Sequence, residues 1–465
     1  NARGPLRLRL TGIGSGSEPG GVSLRRPRIV TVEPVADRDE TAAEVTAPSG
    51  SAGRRPIVLW VVDTLRADRL GPHGGPVPTP HLDAFAAESL VFERAIAQSS
   101  WTKASMGSVF TGRSPLEHGA YRRDHVLSDR AVTLAELLSA AGYRTAAFGT
   151  NPNLTEAFGF AQGFDHFVDL GEAANAGEVV DAAVDWLRTS DDERPLFLWL
   201  HPIDPHSPYV PPDAFREEHS PHLSAETARR AVPLINDMRA GRRPVDLALV
   251  AEVVELYDTE IAWSDRAFGR LREALADASL DDAIVLVLSD HGEEFYEHGN
   301  FEHGRALFAE SIHVPFMLHW PEGPVGRVRE AVQHLDVLPT LLDAVGVEAP
   351  RGLSGQSLLD GPPTADRPIF SHLHLDGAER VAVERGRFKL LAEVAPGDRL
   401  IGRQLYDLVD DPKETRNLAA EQPIVTGRLA TLLRKHLTAA REGATVETVE
   451  IDEETRRRLE ALGYL

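Results

Sequence analysis

Beyond residue 56 the chain carries short, unbroken apolar runs at Ile57–Val62, Leu196–Leu200 and Ala283–Leu288, with weaker ones at Thr145–Phe148 and Val314–Leu318. A run without alternation marks a strand buried on both faces, as in a parallel sheet covered by helices. Between the runs the period lengthens to that of amphipathic helices, over Asn175–Arg188 and Asp246–Ala276. Thr133-Leu-Ala-Glu136 is a capping box, and Gly142 supplies a stop. Strands alternating with helices predict an α/β fold, a large and mostly parallel sheet sandwiched by helices. Residues 1–55 differ in texture, being rich in Gly, Pro, Ser, Arg and Glu. They read as a flexible or partly β leader, with Leu6–Leu10 and Arg28–Val32 as its candidate strands.

Each apolar run ends on side chains that suit a metal or an anion. Asp63 follows the first run and Asn151 trails the weak run at 145–148. His201 follows the third, with Asp204 and His206 just beyond, and Asp290 and His291 follow the fourth. Ligands of open α/β sheets bind outside the carboxyl ends of strands, so these residues are expected to converge on one sheet edge.

Composition narrows the chemistry. The 465 residues contain no cysteine, which rules out disulfides, thiolate metal sites and cysteine nucleophiles. A formal net charge of -22 argues against a nucleic-acid partner. It also means that an anionic substrate needs a local positive centre, such as a metal ion. No apolar run approaches the ~18 residues of a membrane span. The chain begins at Asn1 and shows no signal-peptide core, so it reads as processed or trimmed, with an extracytoplasmic (periplasmic or secreted) origin expected.

Five segments carry candidate chemistry. In Asp63-Thr-Leu-Arg-Ala-Asp68, Asp63 is a strand-end carboxylate suited to a hard metal, although such an Asp taken alone is an ordinary helix cap. In Ser100-Trp-Thr102-Lys103-Ala-Ser105, Thr102 falls at a helix N-terminus, where free N–H groups favour an anion and a metal could activate the hydroxyl. Out of context that threonine is also a plain cap. In Ser289-Asp290-His291-Gly-Glu293, adjacent carboxylate and imidazole can face one ion. His201-Pro-Ile-Asp204-Pro-His206 and Glu297-His298-Gly-Asn-Phe-Glu-His303 offer loop histidines for substrate oxygens, leaving-group protonation or a second metal; singly, each is as easily a surface residue.

In order, these segments resemble the sulfatase family of the alkaline phosphatase superfamily. The resemblance runs from about Ile57 to Leu465 and includes Thr111-Gly-Arg113 with His118-Gly119, Val314-Pro315, Asp336-Val-Leu-Pro-Thr340, Leu405-Tyr-Asp407 with Asp411-Pro412 and Asn417-Leu418, and Leu462-Gly-Tyr-Leu465. It implies an alkaline phosphatase-like catalytic domain over 56–360 and a smaller C-terminal α+β subdomain over 361–465. It also implies Asp63, Asp290 and His291 as metal ligands bridged by the nucleophile, with His206 and His303 at the transferred or leaving group. The departures are specific. The family's C/S-x-P-S-R motif, whose first residue is oxidised to formylglycine, reads Thr102-Lys-Ala-Ser-Met106 here, and its first metal motif carries Thr64 in place of a second Asp. Oxidising threonine gives a ketone, so the aldehyde route is closed. The spacing from Ser289 to His303-Gly304, and Ser207-Pro-Tyr209, are similar to phosphoethanolamine transferases, which use an unmodified threonine.

The resulting expectation is a metal-dependent hydrolase of phosphate or sulfate esters. Thr102 is the nucleophile, His206 and His303 are catalytic, and Asp63, Asp290, His291 and Thr102 hold one divalent ion (Ca, Mn, Mg or Zn). Lys103, Asn151, His201, Asp204 and His298 are expected at the substrate, a small-molecule or lipid- or sugar-linked anionic ester. His201, Asp204, His206 and His303 could alternatively build a second metal site. The alternatives are a phosphoryl-group transferase and a non-catalytic member that binds an anion.

Overall fold

The computed structural model describes residues 54–462 apart from 376 and 445. The leader with its candidate strands, and the last three residues of Leu462-Gly-Tyr-Leu465, therefore lie outside the described residues. Eight strands form the large sheet: β1 (Ile57–Val62), β2 (Leu90–Phe92), β3 (Arg144–Gly149), β4 (His166–Asp169), β5 (Leu196–His201), β6 (Ile284–Ser289), β7 (Phe316–His319) and β8 (Gly326–Val328). Their order across the sheet is β8-β2-β7-β6-β1-β5-β3-β4. β7 alone runs against its neighbours, pairing antiparallel with both β6 and β2.

The apolar runs become strands for the reason their pattern gives. β1 is wholly buried, with Ile57, Leu59 and Val61 in the core on one face and Val58, Trp60 and Val62 in the core on the other. The principal helices of this layer are α1 (Pro80–Ala87), α2 (Thr102–Thr111), α3 (Ala176–Thr189), α4 (Leu247–Asp277) and α5 (Val337–Ala344). α1, α3 and α4 cover one face, while α2 and α5 cover the other. Asn175 and Asp246 cap α3 and α4 by accepting backbone N–H bonds, and Thr133 completes the capping box expected with Glu136. The run expected as one strand over 314–318 is divided. His313–Val314 pairs with Ala95–Ile96, and β7 begins only after Pro315, which has no N–H to give a ladder.

Downstream, β9 (Ile369–His374), β10 (Glu379–Arg385), β11 (Phe388–Ala395) and β12 (Arg399–Asp407) form an antiparallel meander. Its one face packs on α6 (Pro423–Glu442) through Val381, Val383, Leu390 and Leu433. Its other face joins the main core through Leu373, Ala382 and Leu391.

Candidate active site

The carboxyl ends of β1, β5 and β6 lie side by side in the sheet, and each delivers a ligand-type residue there. β1 and β6 are in register from Ile57↔Ile284 to Val62↔Ser289, so the next residues, Asp63 and Asp290, emerge together. His201 closes β5, which pairs with β1 on its other side. Donor atoms of Asp63, His201 and Asp290 all lie within 4.8 Å of one another. His291 Nε2 is 3.4 Å from Asp290 Oδ2 and 3.9 Å from Asp63 Oδ1.

The kink that aims Asp63 is held at the next residue. Thr64 has φ of 55°, a left-handed conformation that a β-branched side chain adopts only under constraint. Its N–H donates to Asp290 Oδ1 (3.1 Å), and its carbonyl accepts from the Tyr257 hydroxyl (2.7 Å).

Thr102 reaches the same point from the opposite layer. It is the first residue of α2, after an extended Trp101, and the helix stops at Gly112 with φ of 62°. Thr102 Oγ1 lies 3.1 Å from His291 Nε2. Asn151 Nδ2 donates to Asp63 Oδ2 (2.6 Å) and to Thr102 Oγ1 (3.4 Å), which ties hydroxyl and carboxylate together. Ser105, the neighbouring hydroxyl, is committed to the Ser99 carbonyl at 2.8 Å.

Buried polar atoms are normally hydrogen-bonded, so exceptions carry information. Asp63 Oδ1, Asp290 Oδ2 and both ring nitrogens of His201 are buried without a hydrogen-bond partner. Burial and the neighbouring Asp290 push the Asp63 carboxyl well above the ordinary range. Burial also raises Asp290, but His291, His201 and two backbone N–H groups outweigh it and hold that carboxyl low. Two buried carboxylates with unused oxygens, set against imidazoles, fit a divalent cation that would neutralise them.

Three histidine rings follow one another outward from this centre, tilted or edge-on to each other. The His291 and His303 ring centroids are 4.4 Å apart, and those of His303 and His206 are 4.8 Å apart. Burial, with the neighbouring imidazoles, pushes both His206 and His303 well below the usual imidazole range. The Glu293 carboxylate reaches His303 Nδ1 at 3.0 Å.

Several residues expected at the substrate have other partners. Lys103 turns inward, donating to the carbonyls of Arg123 (2.7 Å) and His125 (3.2 Å) beneath the Phe158 ring. Asp204 accepts from the Ala176 N–H at the start of α3 (2.6 Å), and burial raises its carboxyl to about 7. His298 bonds Glu310 (2.6 Å) and the Glu414 carbonyl (3.2 Å) and stacks on Phe308, away from the centre. His201, expected at the substrate, sits instead among the metal-type donors. The alternative second-metal set is consequently not assembled, because Asp204 caps a helix and His201 belongs to the first cluster. Two other groupings with ligand-type side chains, His372–His374–Glu379 and Glu294–His298–Glu310, are engaged by Arg122 and Arg441 and by backbone groups respectively. Sequence reading named Glu293 within its motif but gave it no role. The only signal for one was its place in the Ser289–Glu293 run.

The sulfatase family profile matches residues 55–347, and the profile of the N-sulphoglucosamine sulphohydrolase C-terminal region matches 296–443. An arylsulfatase of Clostridium perfringens is 27% identical, aligned over 84% of this chain and 95% of its own length. An endo-4-O-sulfatase of Bacteroides thetaiotaomicron is 26% identical over 78% and 85%. Among solved structures, one bound to its substrate D-glucosamine-2-N,6-O-disulfate superposes with a TM-score of 0.72 at 20% identity, covering 84% of this chain and 98% of that one. The phosphonate monoester hydrolase of Agrobacterium radiobacter gives 0.68 at 21% identity, covering 86% and 99%. An alkaline phosphatase-like α/β fold, a large mixed sheet flanked by helices with a small C-terminal antiparallel sheet, is thus the class this molecule falls in. Within it, the chain belongs to the sulfatase family. Among the described residues no helix is long and apolar enough to cross a membrane.

Proposed function

We propose that the protein cleaves phosphate or sulfate esters by transferring the acid group to Thr102. The observation that carries this reading is the placement of Thr102 Oγ1, at a helix N-terminus and hydrogen-bonded to Asn151 and His291, beside the unpartnered oxygens of Asp63 and Asp290. With no cysteine in the chain, this hydroxyl is the group in the family's nucleophile position. Asp63, Asp290, His291 and His201 would hold a divalent ion together with Thr102, and such an ion supplies positive charge that favours an alkoxide and charge on non-bridging oxygens. Two imidazoles in the set favour zinc over calcium, magnesium or manganese.

In this scheme Thr102 Oγ1 bonds to phosphorus or sulfur as the alcohol oxygen departs on the opposite side. Thr102 releases its hydroxyl proton in this step and regains one when its ester is cleaved. His303 or His206, protonated at Nε2, gives that proton to the departing oxygen and takes one back from the water that attacks next. Water then attacks the Thr102 ester, releases the inorganic acid and restores the hydroxyl. The relatives' names favour sulfated sugars, whereas the threonine favours phosphoryl chemistry. Acid-quenched turnover on paired nitrophenyl phosphate and sulfate decides between them. Peptide mass spectrometry should find one added acid group on Thr102 with the preferred ester. An unlabelled Thr102 under steady turnover, with solvent oxygen entering the product directly, would overturn the covalent route.

A further inference from the structure

Glu293 is buried, follows two residues after His291, and is not among the unpartnered donors of the centre. Its main chain is pinned: the N–H donates to the Glu310 carbonyl (3.0 Å), and the carbonyl accepts from Arg66 Nη1 (3.0 Å). Both side-chain oxygens are in use. Oε1 meets His303 Nδ1 at 3.0 Å, and Oε2 accepts from the Tyr209 hydroxyl at 3.0 Å. Tyr209 is buried in turn, set between the rings of Tyr257 and Phe295.

Burying a carboxyl costs stability even where both of its oxygens are hydrogen-bonded. A leucine would fill the same space without that cost, so stability alone does not explain a glutamate there. What the carboxyl adds is direction. The χ2 torsion of histidine is broad and roughly two-fold, so a ring without a fixed partner can present either nitrogen. Whichever atom holds the intervening proton, the bond to Oε1 commits Nδ1 and so fixes the direction in which Nε2 points.

We infer that Glu293 is a positioning residue, held by Tyr209, that orients the His303 ring and reserves its Nε2 for the leaving-group oxygen. This rests on the role given above to His303. Glu293 contributes to catalysis only through that ring, and its contribution is largest where the departing oxygen most needs a proton.

The test uses the full-length, metal-loaded protein and two esters of the preferred acid, one with an alkyl and one with a nitrophenyl leaving group. Glu293→Ala should lower kcat on the alkyl ester by about 10–100-fold with KM little changed. On the nitrophenyl ester the loss should stay within about threefold, because a good leaving group departs unprotonated. Glu293→Gln, which keeps an oxygen for Nδ1–H, should recover most of the rate. Tyr209→Phe should show a smaller loss of the same leaving-group dependence and serves if the alanine variant does not fold. In a His303→Ala background, Glu293→Ala should cost nothing further. Equal losses on both esters, or a full further loss in that background, would overturn the inference by showing a structural role. A slow His303→Ala beside a fully active Glu293→Ala also overturns it, while leaving the role of His303 intact. His303→Ala at the wild-type rate on the alkyl ester rejects that role and the inference with it. Melting temperature and bound metal should be unchanged in Glu293→Gln.

Discussion

The edge of the large sheet that carries the candidate site and the seam between that sheet and the C-terminal meander are both rich in buried charge, but they treat it differently. Along the seam every principal charge meets its opposite. Lys389 lies 2.9 Å from Glu414, Asp336 is gripped by Arg367, and His298 donates to Glu310. At the edge, two carboxylates face each other, and their inner oxygens have no partner. A region selected for stability pairs its charges, because an unpaired buried ion is expensive. A region that leaves them unpaired is built for something that comes from outside the chain. Burial alone does not separate the two; whether each carboxyl meets a cationic side chain does.

The largest effect that would break this contrast is at Thr102. Thr102→Ala should keep less than about a thousandth of the wild-type rate while retaining fold and metal. If more than about a tenth survives, a barrier change under ~1.4 kcal/mol, then water is the nucleophile and the threonine is a cap. Asp290→Ala should lose at least about a hundredfold in rate, roughly 2.7 kcal/mol of barrier, together with the tightly bound ion in elemental analysis. Asp63→Asn sharpens the point from the other side. In metal-stripped protein it should raise the melting temperature, because it removes one of two facing carboxylates, and a lower value would show that the pair is compensated in some other way.

At the seam the expected pattern reverses. Lys389→Met leaves Glu414 buried without its cation and should cost about 3–5 kcal/mol in denaturant unfolding. The folded fraction should turn over normally, and a variant as stable as wild type would mean that the pair contributes nothing. The smallest effect concerns pH. Glu310 and the Glu414 carbonyl outweigh burial and raise His298 from 6.5 to about 9. A group raised on folding stabilises fully below its unfolded pKa, and that contribution is lost as pH rises through the folded value. Wild type should therefore lose stability between about pH 6.5 and 9.5 relative to His298→Gln, and parallel pH profiles for the two would remove His298 from the seam.

The candidate edge was legible in the sequence because unbroken apolar runs fix the ends of parallel strands, and Asp63, Asn151, His201, Asp290 and His291 each lie within three residues of such an end. Sequence reading did less well where a loop decides direction. Nothing in the residue order shows that Lys103 turns under Phe158 toward two carbonyls, that Asp204 faces back to a helix start, or that His298 points into the seam. Those choices depend on residues distant in sequence, such as Ala176, Glu310 and Glu414. The division at Pro315 was legible in principle, since a missing N–H is a property of the residue itself. The Glu293–His303 pair was not, because it needs the turn between the two to be known.

The place of β1 also bears on how the chain is made. This wholly buried hexapeptide takes its ladder partners from residues 197–200 on one side and 284–289 on the other. During synthesis it emerges long before either, and the strand that will close its second edge is among the last of the large sheet to appear. Until then at least one edge of one of the most apolar segments is exposed to other chains. Nascent or truncated forms ending before about residue 290 should therefore need chaperone cover to stay in solution, and the catalytic centre cannot exist on the ribosome until the sheet around β1 is complete.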